Sequence, residues 1–350
     1  MSGATIRLVG EGAAAGLVGG KAAALDRLIA LGARVPPTGV VTVEAYRRFA
    51  SIPQLAAFVD DVSHRPIPPP HRIKEEHDEV SAAFLAHDLP EDLLEDVEAL
   101  AAVVGRRFRL AVRSSATAED QVDSSFAGQY DSFLCVDRRT LSEAIRLTWA
   151  SLWFPRVRAY RRARGIDEAE LAMAVVVMRM VAAKHAGVVF TVNPGGSSTE
   201  LRIEIVEGLA EDLVSGAATP DVIIVPREGE RRYPDELAGL LDELTETALD
   251  LEARLGLPQD IEWAYDGRRL FIVQARPITT VGPDAEPPRD PFDSEPLPGT
   301  TYTPAGVGEM LPGVLAPLLW SINGPILEDA FRVMGDDMGP APDGMATADA

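Results

Sequence analysis

Long hydrophobic runs are missing from this 350-residue chain: no apolar stretch approaches the roughly 18 residues that a membrane-spanning helix needs. The N-terminus, MSGATIRLVGEG, lacks the basic, apolar and small-residue succession of a secretory signal. Together these absences lead us to expect a cytoplasmic protein. Cysteine is almost absent too. A lone Cys135 excludes an internal disulfide and a thiolate metal cluster, and within DSFLCV it is expected to be a small core residue of a strand. Positive charge is scarce: 33 Lys and Arg against 54 Asp and Glu give a formal net charge of −21. Nucleic acid and an anionic membrane surface are therefore poor candidates for the main partner. Neither HxxH, HExxH, GxSxG nor the Walker A pattern occurs. The five histidines, His64, His71, His77, His87 and His185, read as surface residues, the last of them in a turn.

What is present is the composition of a globular protein, 46% hydrophobic and 25% charged. A chain of this length exceeds what one core usually fills, so two or more subdomains are expected. Leu25, Leu28 and Leu31 recur at helical spacing in a helix over 22–31, closed by Gly32 ahead of Pro36-Pro37. Residues 62–72 are proline-rich and read as an extended connection. Residues 91–104 and 235–255 have amphipathic helical patterns, and 138–165 reads as helical with Trp149, Trp153 and Phe154 as core anchors. LAMAVVVMRMV, AGVVFTV, LRIEIVE and DVIIVP read as strands, and DIEWAYDGRRLFIVQARP as a hairpin turning at Asp266-Gly267. Beyond Thr280 the chain becomes rich in proline and acid. A short apolar stretch over 310–326 comes next, then a tail expected to be disordered.

An acidic protein can hold an anion only through a few well-placed cations and backbone donors, and three regions have that character. Gly19-Gly20-Lys21 opens a helix, where free N–H groups, close backbone approach and a lysine favour phosphate; an ordinary capped helix with a surface lysine gives the same pattern. Arg113 lies in AVRSSATAED, followed by SSFAGQYDS around Gly128 and Ser132. A guanidinium grips phosphate bidentately and a glycine turn can fold N–H groups over a polyphosphate, although an arginine that merely ties two loops would also suit. In the hairpin, Glu262 and Gln274 fall on facing strands at similar height, and Gln274 and Arg276 share a face. One carboxylate, one amide oxygen and one cation suit magnesium with bound phosphates, because magnesium takes hard oxygen ligands and keeps waters; an exposed polar sheet face is the other reading of that spacing.

Taken together, GGKAAALDRL with PPTGVVTVEAYRRF, AVRSSATAED, SFAGQYDSFL, VVVMRMV, GVVFTVNP, EGLAEDLVSG and DIEWA…LFIVQARPIT resemble the ATP-binding domain of the pyruvate phosphate dikinase and phosphoenolpyruvate synthase family. That family includes rifamycin phosphotransferases and a split phenylphosphate synthase. The resemblance covers about residues 5–281. It implies an α+β protein with an ATP-grasp fold of two or three subdomains, with ATP in the cleft between them and Mg2+ as the metal. By motif, Lys21 and Arg113 would bind phosphates, Gly128 and Ser132 would belong to the loop closing over them, and Glu262 and Gln274 would hold magnesium. Arg276 would meet the phosphate being transferred, and Arg113 and Arg276 would carry the catalytic charge. The implied division is 1–195 and 196–281 for the two parts of the ATP-grasp domain, 282–334 for a linker and the start of a following domain, and 335–350 for the tail.

Two departures shape the functional expectation. Met178 stands where the family has a glutamine near the nucleotide; it can pack against adenine but cannot hydrogen-bond it. Nothing in the chain matches the TSHAA-like motif of the family's swivelling phosphohistidine domain, and 301–322 resembles only the beginning of a further domain. The expected function is the ATP-binding part of a dikinase-type phosphotransferase. It would deliver the β-phosphate of ATP to a histidine on a separate chain or on missing C-terminal domains, for onward transfer to a small-molecule acceptor. The alternative is a non-catalytic ATP-binding regulatory or interaction module.

Overall fold

The segment MAVVVMR is apolar at every position but the last, as a strand covered on both faces must be, and it forms the centre of the first sheet. The computed structural model describes residues 5–116, 130–164, 171–194, 198–208 and 220–278. Five strands make the first sheet: β1 (Ile6–Leu8), β2 (Thr38–Val41), β3 (Leu110–Ala116), β4 (Ser132–Val136) and β5 (Met173–Arg179). Their order is β1-β2-β5-β3-β4 and every pairing is antiparallel. Five more make the second: β6 (His185–Phe190), β7 (Glu200–Glu207), β8 (Asp221–Pro226), β9 (Gln259–Tyr265) and β10 (Leu270–Pro277). These run β10-β9-β6-β7-β8, again antiparallel throughout. The chain passes from one sheet to the other between Arg179 and His185, so the last strand within 1–195 already belongs to the second sheet. By contacts the chain divides into two units, Met1–Ala285 and Glu286–Ala350; the second lies outside the described residues.

Eight α-helices surround the sheets among the described residues: α1 (Ala15–Ala30), α2 (Val43–Ala50), α3 (Pro53–His64), α4 (Ile73–Leu85), α5 (Glu91–Gly105), α6 (Leu141–Ala150), α7 (Pro155–Arg164) and α8 (Ala238–Leu255). The sequence's proline-rich connection is shorter than expected, because α3 continues to His64 and a 3-10 turn occupies Pro70–Arg72. The helical stretch over 138–165 is two helices. α6 ends at Ala150, a 3-10 turn follows at Ser151–Trp153, and Pro155, which has no N–H to offer, takes the first position of α7. All three aromatic anchors are buried there. Trp149 stacks on Phe49 at 5.2 Å and donates its Nε1 proton to the Met173 carbonyl, 3.0 Å away, tying α6 to the central strand.

Trp153 donates its Nε1 proton to the hydroxyl of Tyr46 at 2.9 Å. Burial pushes the Tyr46 phenol up to about 12, against smaller opposing effects of the Trp153 hydrogen bond and the Arg161 charge. The native state therefore keeps a proton that the unfolded chain releases near pH 10, so this group makes stability fall as pH rises from about 10 to about 12. An ultraviolet titration of tyrosinate should show Tyr46→Phe removing the last-titrating component. Loss of an ordinary component near pH 10 instead would contradict the burial.

In the second sheet β7 alternates buried and partly exposed residues over most of its length, as a strand of a one-sided sheet should. Leu201, Ile203, Ile205, Val189, Ile261 and Trp263 are buried on one face, and Leu244, Ala248 and Leu251 of α8 join the same core. The opposite face carries Arg202, Glu204, Asp260 and Glu262. Two expectations fail in the strands. Cys135 lies in β4 but is exposed, because β4 is an edge strand whose pairing with β3 slips between Leu110 and Val112. There Cys135 takes a positive φ of 55°, which turns its side chain out of the apolar alternation. His185 begins β6 and pairs with Glu207 and Tyr265, so it is a strand residue and not part of a turn.

Candidate functional site

A single glycine sets up the first side of the site. Gly19 interrupts α1 with φ 76° and ψ 171°, a conformation essentially closed to residues with a side chain. The kink lets Ser115 of β3 sit against the break: its Oγ donates to the Val18 carbonyl at 2.8 Å and accepts from the Ala22 N–H at 3.1 Å. A Cβ on Gly19 would lie 1.9 Å from the Ser115 carbonyl oxygen. Lys21 stands one residue from this junction, in the first turn of the resumed helix, and its Nζ donates to Ser114 Oγ at 3.2 Å. Gly19-Gly20-Lys21 thus opens a helical segment as the sequence indicates, with a preceding helical turn that it did not indicate.

Alternation along β3 and β5 puts Arg113 opposite Val176 and Ala111 opposite Met178, so Arg113, Val176 and Met178 share one face of the first sheet. Ser132, at the exposed start of β4, is the register partner of Arg113. Across from this face stands β10. Arg34 holds the end of the α1–β2 connection against it, accepting from the Ile272 N–H at 2.9 Å and donating to the Leu270 carbonyl at 3.2 Å. The resulting cleft is lined by Lys21, Ala24 and Leu25 of α1, by Arg113, Val176 and Met178 of the first sheet, and by Val273, Gln274, Ala275 and Arg276 of β10.

The hairpin turns at Asp266-Gly267, and Asp266 Oδ1 accepts the N–H groups of Arg268 and Arg269 at 2.8 Å each. A regular ladder from that turn would set Val273 opposite Glu262. Instead β10 bulges between Ile272 and Gln274. Ile272 stays opposite Trp263 in the core, and Gln274 moves opposite Glu262 on the other face. A bulge adds one residue and re-aims the side chains beyond it; here it brings Gln274 beside the carboxylate and Arg276 opposite Asp260. The register continues across β6 and β7, giving one row of Gln274, Glu262, Val188 and Glu204 and a second of Arg276, Asp260, Phe190 and Arg202.

Charge is paired within this cleft. Arg113 donates to Glu262 Oε2 at 2.7 Å, joining the two sheets, with side-chain exposures of 17% and 21%. Arg276 donates from Nε to Asp260 Oδ2, also at 2.7 Å. Burial raises the pKa of the Asp260 carboxyl; the charge and hydrogen bond of Arg276 oppose this, and the neighbouring Glu262 and Glu204 add to it. Asp260 is the residue that sequence reasoning missed. Its signal was available, since it lies two positions before Glu262 and so on the same strand face. Gln274 Oε1, by contrast, is buried without a hydrogen-bond partner. An orphaned hard oxygen beside a carboxylate fits a magnesium ion. Among the described residues no group of three or more His, Cys, Asp and Glu could hold a metal, so a metal here would need ligands from a bound phosphate and water.

The structure therefore brings together Lys21, Arg113, Met178, Gln274 and Arg276 in one cleft lining, with Glu262 tied to it through Arg113 and Ser132 at its edge. Gly128 lies outside the described residues. The profile of the family described as "Pyruvate phosphate dikinase, AMP/ATP-binding domain" matches residues 15–239 and 231–295. The chain belongs to this family. It is 33% identical over 304 residues to a probable phosphoenolpyruvate synthase of Methanocaldococcus jannaschii, covering 76% of this chain and 26% of that protein. Rifampicin phosphotransferases of Streptomyces sviceus and of a Streptomyces species are 38% and 34% identical, over 77% and 92% of this chain and 35% and 41% of theirs. The chain thus spans between about a quarter and two fifths of these relatives' length. Among solved structures, D-alanine-D-alanine ligase from Helicobacter pylori aligns over 54% of this chain and 47% of its own at 12% identity and a TM-score of 0.29, too slight a likeness to bear on the fold. No helix among the described residues is long and apolar enough to cross a membrane.

Proposed function

We propose that this chain is the nucleotide-binding part of a dikinase-type phosphotransferase, with an ATP-grasp arrangement in which ATP lies between the two sheets. The observation that carries the reading is the meeting of Lys21, Arg113, Gln274 and Arg276 in one cleft lining of a chain that belongs to the dikinase nucleotide-binding family. Three cations from two sheets and a helix start are what a polyphosphate needs, because charge spreads over the phosphoryl oxygens in the transition state. Arg113 and Arg276 grip oxygens that Lys21, as a point charge, cannot orient alone. Glu262 and Gln274 would hold magnesium, which when bound would neutralise phosphate charge. Val176, Leu25 and Met178 give the base an apolar surface, and Met178 leaves its edge unread by any side-chain amide. Gly128 belongs to the covering loop in this reading, and Ser132, the first residue of β4, stands where that loop returns to the sheet.

The reaction needs a histidine supplied from elsewhere, on another chain or on further domains. Its ring nitrogen attacks the β-phosphorus, the bond to the AMP oxygen breaks, and water then removes the terminal phosphate, leaving phosphohistidine for a small-molecule acceptor. A second reading, a binding module that transfers nothing, draws on the internal pairing of Arg113 with Glu262 and Arg276 with Asp260. Phosphorus NMR of the products separates the two. With MgATP and a separately supplied histidine-bearing domain of the family, AMP and phosphate should accumulate, and neither should form without that domain. ADP as the product, or no turnover in the mixture, would overturn the dikinase reading.

A further inference from the structure

We infer that Arg34, which lies outside the cleft lining, is a positioning residue that fixes Lys21 and the β10 residues of the cleft at their working separation. The inference rests on the nucleotide-binding reading above and concerns what holds that site in register. α1 is anchored at both ends, and to different sheets. At its kinked start, Ser115 and Ser114 of β3 hold Ala22 and Lys21, so the helix begins on the first sheet. Its far end is tied to the second. Arg254 of α8 donates to the Leu31 carbonyl at 3.2 Å, and Glu243 of α8 stands 3.9 Å from the Arg34 guanidinium. Glu243 and Arg254 are eleven positions apart, about three helical turns, and so lie on one face of α8.

Arg34 completes this anchorage at the outer edge of the second sheet. β10 is the terminal strand, and a terminal strand leaves one row of N–H and C=O groups without a ladder partner. Two of these, two residues apart and so on the same side of the strand, are taken by one residue. The Arg34 carbonyl accepts the Ile272 N–H, and Nη1 of the same residue donates to the Leu270 carbonyl. Both contacts lie directly before the bulge that brings Gln274 beside Glu262. Arg34 thus fixes β10 where its side chains are re-aimed, and through α1 it fixes the same strand against Lys21. A polyphosphate that touches Lys21 and β10 together gains most when the two supports are held in advance at the right distance. Stability depends far less on this side chain. Arg34 and Glu243 are about half exposed, at 49% and 48%, and an exposed ion pair contributes little. The Ile272 bond, backbone to backbone, survives any substitution at position 34.

The test is equilibrium dialysis of the full chain and its variants against MgATP, run beside urea unfolding of the same proteins. Arg34→Met should weaken MgATP binding by on the order of tenfold and leave the urea midpoint close to that of the parent. Arg34→Lys should bind within about threefold of the parent, because the contact to Leu270 uses a single donor that an ammonium can supply. The loss in Arg34→Met should persist when sodium chloride is raised from about 0.1 M to about 0.5 M, whereas a loss of attraction at a distance would be screened away. Arg254→Met, which releases the Leu31 carbonyl from α8, carries the same prediction and serves if Arg34→Met does not fold. MgATP affinity within about threefold of the parent in Arg34→Met, whatever its stability, overturns the inference. So does a loss that vanishes in high salt, or an Arg34→Lys variant as weak as Arg34→Met; in each case the nucleotide-binding reading stands. A parent that binds no MgATP at either salt concentration overturns both.

Discussion

Arg113→Ala is expected to lower affinity for MgATP by about a hundredfold while leaving the protein folded. Truncating one partner of a desolvated, hydrogen-bonded charge pair costs about 2–5 kcal/mol, and the lower part of that range is apt because Arg113 keeps 17% of its side chain exposed. The fold should survive, since the strand pairings of β3 with β4 and β5 are made by backbone. Glu262 would lose its partner, but it lies at a cleft with access to solvent and retains 21% exposure. Arg113→Lys should restore little, because an ammonium cannot present the planar fork of donors that grips two phosphate oxygens. Calorimetric titration of the two variants checks this. Affinity within a factor of three of the parent in Arg113→Ala would remove Arg113 from the site.

Gly19→Ala is expected to cost about 3 kcal/mol or more of stability and to abolish nucleotide binding in whatever remains folded. Two causes add. The backbone at φ 76°, ψ 171° is held against a steric cost of about 1–3 kcal/mol for any residue with a side chain. The new methyl would also meet the Ser115 carbonyl oxygen at 1.9 Å, far inside contact distance, and backbone cannot swing aside as a side-chain tip can. Relief requires α1 to move off β3, which separates Lys21 from Ser114 and breaks the seat of Ser115 under Ala22. Gly16→Ala is the control: it lies in the same helix with open space around it and should be neutral or slightly stabilising. Urea unfolding of both variants decides the matter. Equal midpoints would mean that the kink at Gly19 is not required.

The sequence carried the hairpin well and its fine geometry poorly. Asp266-Gly267 is a turn signal with a local cause, so the strands on either side, with Glu262 and Gln274 facing at similar height, could be read from the chain, whereas their direct pairing depends on the bulge. The bulge at Val273 could not. It has no glycine or proline to mark it, and it arises because Ile272 is wanted in the core beneath Trp263 while Gln274 is wanted in the cleft. Local alternation likewise put Arg113 on a strand, but its partner is 149 residues away on the other sheet, a pairing that no periodicity encodes. Cys135 failed for the opposite reason. Its neighbours are apolar, and only the slip in an edge strand with a positive φ turns it outward. Asp260 escaped notice because its role, holding Arg276 in place, depends on a cross-strand partner that the residue type alone does not reveal.

The central claim is that the cleft between the sheets binds the magnesium complex of ATP, and calorimetry of ATP with the parent chain, with and without magnesium, tests it most directly. The account predicts saturable binding with magnesium that is much weaker in its absence and is weakened again by Lys21→Ala. Absence of binding under both conditions, or binding that Lys21→Ala leaves untouched, would contradict it.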